Sequence, residues 1–377
     1  MSTDLDKPMS ILIPMLGFAR AGGYRVLSKL ADEWLEMGHQ VDFLVPETSP
    51  FPYFPTMANV IRCNRSGPLP EKSTKPEAGR RTTAVDNLLS LYAGVKTISE
   101  NYDAILANHS FTVWPVWAAR TKRAKLVYYI QAYEPDYYAL EGKWFSWLLS
   151  RFSYKLPFHQ IVNSKIYVGH KGLRADEIVP PGLDFDVFQT KETDKVLSSA
   201  KEILVGTIGR SEPAKGTIYA LEGFALAHLQ NRRLKLKVAY GNLPDGWSHS
   251  ECSVVVPHDD EELADYYRSL DILLAPGITQ HGAPHYPVME AMACGVAVVT
   301  TGYLPADEQN SWIVDNMSAE SVCEGILRVI NDSHYLIKTG QASRDIAPFS
   351  WPHIAKQMMA IIVAGPALSN SSRATNP

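Results

Sequence analysis

The feature that most constrains this chain is a set of short apolar runs that fail to alternate. Stretches such as "ILVGTI" from Ile203, "ILLA" from Ile272 and "VAVVT" from Val296 are almost continuous Val, Ile, Leu and Ala. A strand with one wet face alternates apolar with polar residues. A continuous run marks a strand covered on both faces, as in a parallel sheet. Similar runs predict strands at Ser10–Pro14, Gln40–Val45, Ala104–Ala107, Leu126–Ile130, Gln160–Asn163 and Glu177–Val179. A second set follows at Ile203–Ile208, Leu236–Ala239, Ser253–Val256, Ile272–Ala275, Val296–Thr300 and Ser311–Val314. Helix-period segments lie between them, for instance Gly23–Met37, Gly216–His228 and Leu263–Ser269. Strands alternating with helices predict an α/β chain with doubly wound parallel sheets.

At 377 residues the chain is too long for one ordinary domain and suits two. The break falls at Pro180–Lys195, "PPGLDFDVFQTKETDK", where turn residues give way to charge. Arg62–Val85, rich in Pro, Gly, Lys and Arg, reads as a second irregular stretch, functional or disordered. The tail after Gly365 is expected to be disordered.

Charge and cysteines narrow the function classes. A net charge of -4, with no basic half, argues against nucleic acid as the main partner. Cys63, Cys252, Cys294 and Cys323 are scattered without a CxxC pair, which predicts free thiols in a reducing compartment and no zinc site. No histidine shows an HExxH spacing, and Asp259-Asp260 is adjacent rather than spaced, so no metal and no other cofactor is expected. The first residues lack the basic-then-apolar order of a signal peptide. No run reaches the ~20 apolar residues that span a bilayer. The expectation is a soluble, cytoplasmic protein.

Ligands of open parallel sheets bind beyond the carboxyl ends of the strands. Gly22-Gly23 opens a helix there. It is either a plain glycine turn or a place where backbone N–H groups approach an anion. In "GRSEPAKGT", Arg210 and Lys215 flank a turn before a helix start. They are either solvated surface charges or a diphosphate clamp; the glycine spacing is not that of a Walker loop. In "HGAPHYPVMEAMACG" the pattern puts Pro287 at the first helical position, Gly295 at the C-cap and Glu290 in the first turn. Glu290 there either offsets the helix dipole, worth roughly 0.3–1 kcal/mol, or accepts hydrogen bonds from vicinal ribose hydroxyls. "WFSWLLSRFSYKL" has apolar residues near helical spacing. A core-packed helix is the preferred reading, and an interfacial membrane helix the other.

As a set, these motifs resemble retaining-type glycosyltransferases of the GT-B fold, family 4 (glycosyltransferase group 1). The resemblance extends to the bacterial rhamnosyltransferases of surface-glycan synthesis. It covers about Ser10 to Ile362 and rests on five segments in order: "GFARAGGYRVLSKLADEWLEMGHQVDFLV", "YYIQAYEPDYY", "EIVPPGLDFDVF", "VGTIGRSEPAKG" and "YRSLDILLAPGITQHGAPHYPVMEAMACGVAVVTT". The closing "FSWPHIAKQMMAII" is similar to the family's last helix.

The resemblance implies two Rossmann-like domains facing across a cleft. An acceptor-binding domain would span 1–184 and a donor-binding domain 185–346. A returning helix would occupy 347–365 and a disordered tail 366–377. The implied activity is a hexosyltransferase of the EC 2.4 class, metal-independent and retaining. It would move rhamnose or another hexose from a nucleoside-diphosphate sugar to a glycan or lipid-linked acceptor. Arg210 and Lys215 would hold the diphosphate, approached by Gly22 and Gly23. Glu290 would hold the ribose, and the backbone around His285, Tyr286, Pro287 and Val288 the sugar and phosphate end. Val256–Glu262 would flank the base.

Acceptor candidates at strand ends of the first domain are His109, Gln131, Tyr133 and Glu134. His109 or Glu134 would hydrogen-bond the attacking hydroxyl, or these residues only shape the cleft. A lipid-linked acceptor would imply peripheral contact with the inner face of the plasma membrane, through Arg62–Arg81 or the Trp144 segment. One departure stands out. The family places a first Glu eight residues before the second, and counting back from Glu290 gives Gly282, between His281 and His285.

Overall fold

The computed structural model of the protein describes residues 7–70, 82–190, 197 and 202–365. Part of the expected linker, most of the stretch after Leu69 up to Arg81, and the tail beyond Gly365 lie outside the described residues. Chain contacts divide the protein into two units, Met1–Pro181 with Trp351–Pro377, and Gly182–Ser350. The first boundary falls three residues before the one read from sequence, and the return four residues after it.

The first unit runs β1 (Ser10–Pro14), α1 (Gly22–Glu36), β2 (Gln40–Pro46), β3 (Asn59–Asn64), β4 (Gly67–Pro68), α2 (Ala84–Ile98), β5 (Ala104–Ala107), α3 (Ser110–Ala119), β6 (Lys125–Ile130), α4 (Glu134–Leu140), α5 (Trp144–Ser153), β7 (His159–Val162) and β8 (Glu177–Ile178). Its strands form one sheet in the order β4-β3-β2-β1-β5-β6-β7-β8. All pairings are parallel except β3 with β4 at the edge. The continuous apolar runs have the expected cause. In β1, Ile11 and Ile13 enter a core shared with Trp34 of α1 and Met358 further on. Leu12 enters the opposite core with Leu91, Val113 and Tyr128.

The second unit runs β9 (Ile203–Ile208), α6 (Thr217–Gln230), β10 (Leu234–Ala239), β11 (Cys252–Val255), α7 (Asp260–Ser269), β12 (Ile272–Ala275), α8 (Tyr286–Ala293), β13 (Ala297–Thr300), β14 (Trp312–Ile313), α9 (Ala319–Asn331) and α10 (Tyr335–Ile346). The order is β11-β10-β9-β12-β13-β14, parallel throughout. Ile272 and Leu274 of β12 face the core under α6 and α9, while Leu273 and Ala275 face the core under α7 and α8. The last helix, α11 (Trp351–Ala364), packs on α1 of the first unit. There Trp34 Nε1 donates to the Ala355 carbonyl at 3.0 Å.

Three readings need correction. Arg62–Val85 is not irregular from its start, because β3 continues through Asn64 and β4 pairs back on it. Arg62 hid the strand: its buried guanidinium donates to the carbonyls of Glu47 at 2.9 Å and Ser49 at 2.6 Å. The helix after the "HGAPHYP" loop begins one residue early, at Tyr286, so Pro287 is its second residue. Its C-cap is Cys294, with Gly295 just beyond at φ 75. Glu290 is therefore in the second turn, and the first turn holds no acid. The Trp144 helix is not core-packed: its buried residues are Ser150 and Ser153, while Trp144, Phe145 and Phe152 are exposed.

Candidate functional site

In the second unit the candidate residues collect where β9, β12 and β13 end. The chain leaves β9 through Gly209, and Arg210 follows. Thr217, the first residue of α6, locks this turn: its hydroxyl accepts from Arg210 N at 3.1 Å and donates to the Arg210 carbonyl at 3.0 Å. Lys215 closes a single turn of 3₁₀ helix, and Gly216 caps α6 in the left-handed region at φ 71. A Cβ on Gly216 would meet the Pro276 carbonyl at 1.9 Å, so the cation turn lies against the loop that leaves β12. Ile278 N donating to the Ala214 carbonyl at 2.9 Å joins the same two loops.

That second loop, from Pro276 to the start of α8, is braced from β13. Thr301 donates to the Gly277 carbonyl at 2.6 Å, and the Tyr303 hydroxyl to the Thr279 carbonyl at 2.9 Å. Gly282 N reaches the Gly302 carbonyl at 2.7 Å. His281 Nε2 lies 2.9 Å from the Gly277 carbonyl. His285 caps α8 without a side-chain cap bond and stacks on Tyr303, with centroids 4.2 Å apart.

The charges of Lys215 and Arg210 are felt at His285. Burial and then the charges of Lys215 and Arg210 push the His285 imidazole down to about 3, so it is neutral. Its Nδ1 is buried without a hydrogen-bond partner. Burial and then Arg210 also lower the Lys215 ammonium, while Glu212 opposes the shift. Two like charges are thus held near each other at a strand end.

Glu290 lies deeper. It is 3% exposed, and its Oε2 accepts from the Tyr267 hydroxyl at 2.8 Å. Burial first, then Glu290, raises the Tyr267 phenol well above its ordinary value. Tyr286 is half-buried, and Pro287 and Val288 are buried in the first turn of α8. Val256–Glu262 leads into α7, where the Asp259 carboxylate caps Glu262 N at 2.9 Å. A cavity of about 270 Å³ there is lined by Val256, Pro257, Glu262 and Tyr266 among others.

In the first unit the candidates form two groups. Gly22 and Gly23 open α1, and Gln131, just past β6, donates to the Gly23 carbonyl at 3.2 Å. A Cβ on Gly22 would meet nothing within 4 Å, whereas one on Gly23 would press on Gln131. The second group centres on Glu134. Its carboxylate accepts from Ser110 N at 3.2 Å and from the hydroxyls of Tyr128 and Tyr154 at 3.1 Å each. His109 caps α3, its Nδ1 accepting from Phe111 N at 3.0 Å. That bond leaves the proton of a neutral ring on Nε2, which lies 3.9 Å from Glu134 Oε1. Tyr133 stacks on Tyr154 and donates to the Lys171 carbonyl at 3.0 Å.

Sequence reading missed Thr217, Tyr267, Tyr303, Tyr128 and Tyr154. Of these, Tyr303 had a usable signal, since it follows β13 within "TGYLPADE". The others act through space from helices or from mid-strand. Among the described residues, no three His, Cys, Asp or Glu side chains gather as a metal-ligand set.

Comparison with known proteins bears on the fold and the domains. Residues 21–181 match the model of a glycosyl transferase 4-like domain, and residues 202–332 match that of glycosyl transferases group 1. The chain is 26% identical over 215 residues to D-inositol 3-phosphate glycosyltransferase of Corynebacterium jeikeium, covering 49% of this chain and 50% of that protein. It thus spans about half the length of the curated relatives it matches. Two solved structures share the architecture. Sucrose-phosphate synthase from Thermosynechococcus elongatus has a TM-score of 0.67 at 18% identity, over 93% of this chain and 97% of that one. Anabaena HepE, solved in complex with UDP-glucose, has a TM-score of 0.61 at 17% identity, over 93% and 98%. The chain has the GT-B fold, and each half matches a glycosyl transferase domain model.

Proposed function

We propose that this chain is a GT-B glycosyltransferase that moves a hexose from a nucleoside-diphosphate sugar to a hydroxyl of a glycan or lipid-linked acceptor. The observation that carries the reading is the turn bearing Arg210 and Lys215, which packs against the loop before α8 through Ile278 N and the Ala214 carbonyl, with Gly216 against Pro276. As the bond from sugar to diphosphate breaks, negative charge grows on the leaving group. The two cations stabilise it in this reading, and electrostatic terms of this kind are commonly the largest in such reactions. The charge-neutralising role is assigned to these side chains. Glu290, held by Tyr267, is a preset acceptor for the nucleoside's ribose.

The loop before α8 carries the donor preference. From Pro276 to Met289 it has no carboxylate, and it offers a neutral imidazole stacked on a tyrosine instead. That less polar surface suits a 6-deoxyhexose, and rhamnose is the sugar proposed. Retention of configuration follows the family 4 resemblance. On the acceptor side, His109 hydrogen-bonds the incoming hydroxyl with Glu134 behind it, and the hydroxyl's proton passes to the departing diphosphate as the new glycosidic bond forms.

A thermal-shift panel of nucleotide sugars, followed by assay of nucleoside diphosphate release, tests the proposal. One nucleotide–sugar pair should stabilise the protein. Arg210→Ala and Lys215→Ala should each lower turnover roughly 10²–10³-fold. Unchanged binding and turnover in both variants would remove the clamp. Conversion of the nucleotide sugar without any acceptor would make the protein an epimerase.

A further inference from the structure

Helix α5 leaves Trp144, Phe145 and Phe152 in water, while Trp147, Leu148 and Leu149 are half-buried. Its buried side chains are serines, Ser150 and Ser153, while Trp144 is 72% exposed and Phe145 58%. Leu140, at the end of α4, is 87% exposed. At about 100° per residue, Trp144, Phe145, Leu148, Arg151 and Phe152 share one side of the helix, and Ser146, Ser150 and Ser153 the other. The helix packs against α3 and α4. A helix that only completes a core does the reverse and turns its large apolar residues inward. An apolar patch kept in water marks an interaction surface.

The charge around the patch indicates its partner. Residues 142–156, "GKWFSWLLSRFSYKL", carry Lys143, Arg151 and Lys155 and no acid, in a chain whose net charge is -4. Arg151 lies over the Trp147 ring at 5.2 Å, and Lys155 over the Phe152 ring at 4.9 Å. Aromatic bodies with Arg151 and Lys155 on the same side, and Lys143 at the start of the helix, match the boundary of a bilayer, where rings sit at headgroup depth and cations meet lipid phosphates. Lys143 pairs with Glu141 at 2.8 Å, but both are exposed, and such surface pairs are weak.

We propose that α5, with the Leu140 corner before it, is the face by which this unit sits on an anionic lipid bilayer. Trp144 and Phe145 enter the boundary between headgroups and acyl chains, and Lys143, Arg151 and Lys155 face the lipid phosphates. The proposal does not depend on nucleotide-sugar chemistry. If both hold, they place an enzyme at the surface where a lipid-linked acceptor resides.

Co-sedimentation of the full chain with vesicles tests it. The chain should pellet with vesicles of phosphatidylcholine mixed with phosphatidylglycerol, and far less with phosphatidylcholine alone. Binding should weaken as salt is raised. Replacing Lys143, Arg151 and Lys155 together by Gln should reduce partitioning by about 10²-fold. The pair Trp144→Ala and Phe145→Ala should reduce it at least tenfold, with the unfolding midpoint kept because both side chains point into water. Failure of the wild type to bind anionic vesicles would overturn the proposal. So would undiminished binding by both sets of variants, or a dimer in light scattering that the Trp144→Ala, Phe145→Ala pair disperses.

Discussion

The rings of His285 and Tyr303 lie flat against each other, their planes 17° apart and their centroids 4.2 Å apart. A neutral imidazole tolerates this place, whereas an imidazolium would sit beside Lys215 and Arg210. Burial and these two cations hold its titration down to about 3. The unfolded chain takes up a proton at this position near pH 6.5. Between these values the unfolded state binds more protons, so stability rises with pH. The contribution is complete above pH 6.5 and is lost as pH falls toward 3. Urea midpoints at pH 5 and pH 7.5 should therefore differ less in His285→Gln than in the wild type. His39 is also lowered by burial, so part of the slope should remain. Equal slopes in both proteins would show that His285 titrates as an ordinary histidine.

Glu290 is a buried carboxylate whose geometry depends on Tyr267, 2.8 Å away. Tyr267→Phe removes a hydrogen bond to a charged acceptor and should cost about 1.5–3 kcal/mol in urea unfolding. If Glu290 holds the donor's ribose, the same variant should also weaken donor binding in calorimetry, because the carboxylate loses its orientation. Glu290→Gln should weaken nucleoside diphosphate and nucleotide sugar alike. A Gln variant that binds both at wild-type affinity would leave Glu290 a purely structural residue.

The sheet was legible because burial on both faces writes itself into composition: β1, β5, β9 and β12 match the apolar runs residue for residue. The strand containing Arg62 was not, because a charged side chain satisfied by the carbonyls of Glu47 and Ser49 looks like a loop residue in one dimension. The cation turn was legible from Arg210 and Lys215 at a strand end. Its bracing was not, since Tyr303, Thr217 and Tyr267 work through contacts that sequence order does not display. The Trp144 helix misled for the opposite reason. Helical spacing shows that a face is apolar but not which way that face points.

Glu134 offers a direct test of role. Its carboxylate accepts from Tyr128 and Tyr154, both fully buried, and from Ser110 N. Glu134→Ala leaves buried hydroxyls without that acceptor and should cost about 1–3 kcal/mol for each one stranded. Glu134→Gln keeps an acceptor oxygen and should recover much of that loss. If Glu134 acts by positioning His109, turnover of the Gln variant should recover along with stability, and its pH profile should match the wild type's. A Gln variant that is stable yet inactive would instead make Glu134 the base.

Two glycines set the spacing of the cation turn and the loop before α8, and they should fail in different ways. A Cβ on Gly277 would lie 1.8 Å from the Tyr303 hydroxyl oxygen and 2.5 Å from Cζ of the same ring. Gly277→Ala should therefore push Tyr303 off His285. The clash is with a side chain, so removing that side chain relieves it. Gly277→Ala and Tyr303→Ala should be non-additive, the double variant being more stable than the sum of the single losses predicts, by about 0.5–3 kcal/mol. Gly216 differs: its φ is 71, and the atom in the way is the backbone carbonyl of Pro276 at 1.9 Å. Gly216→Ala combines left-handed strain, of order 1–3 kcal/mol, with a clash that no side-chain deletion removes. Its loss should add to that of Tyr303→Ala unchanged. Urea unfolding of the three single variants and both doubles measures these couplings. Additivity for Gly277 with Tyr303 would show that the ring moves aside freely and does not tie the loop before α8 to the end of β13.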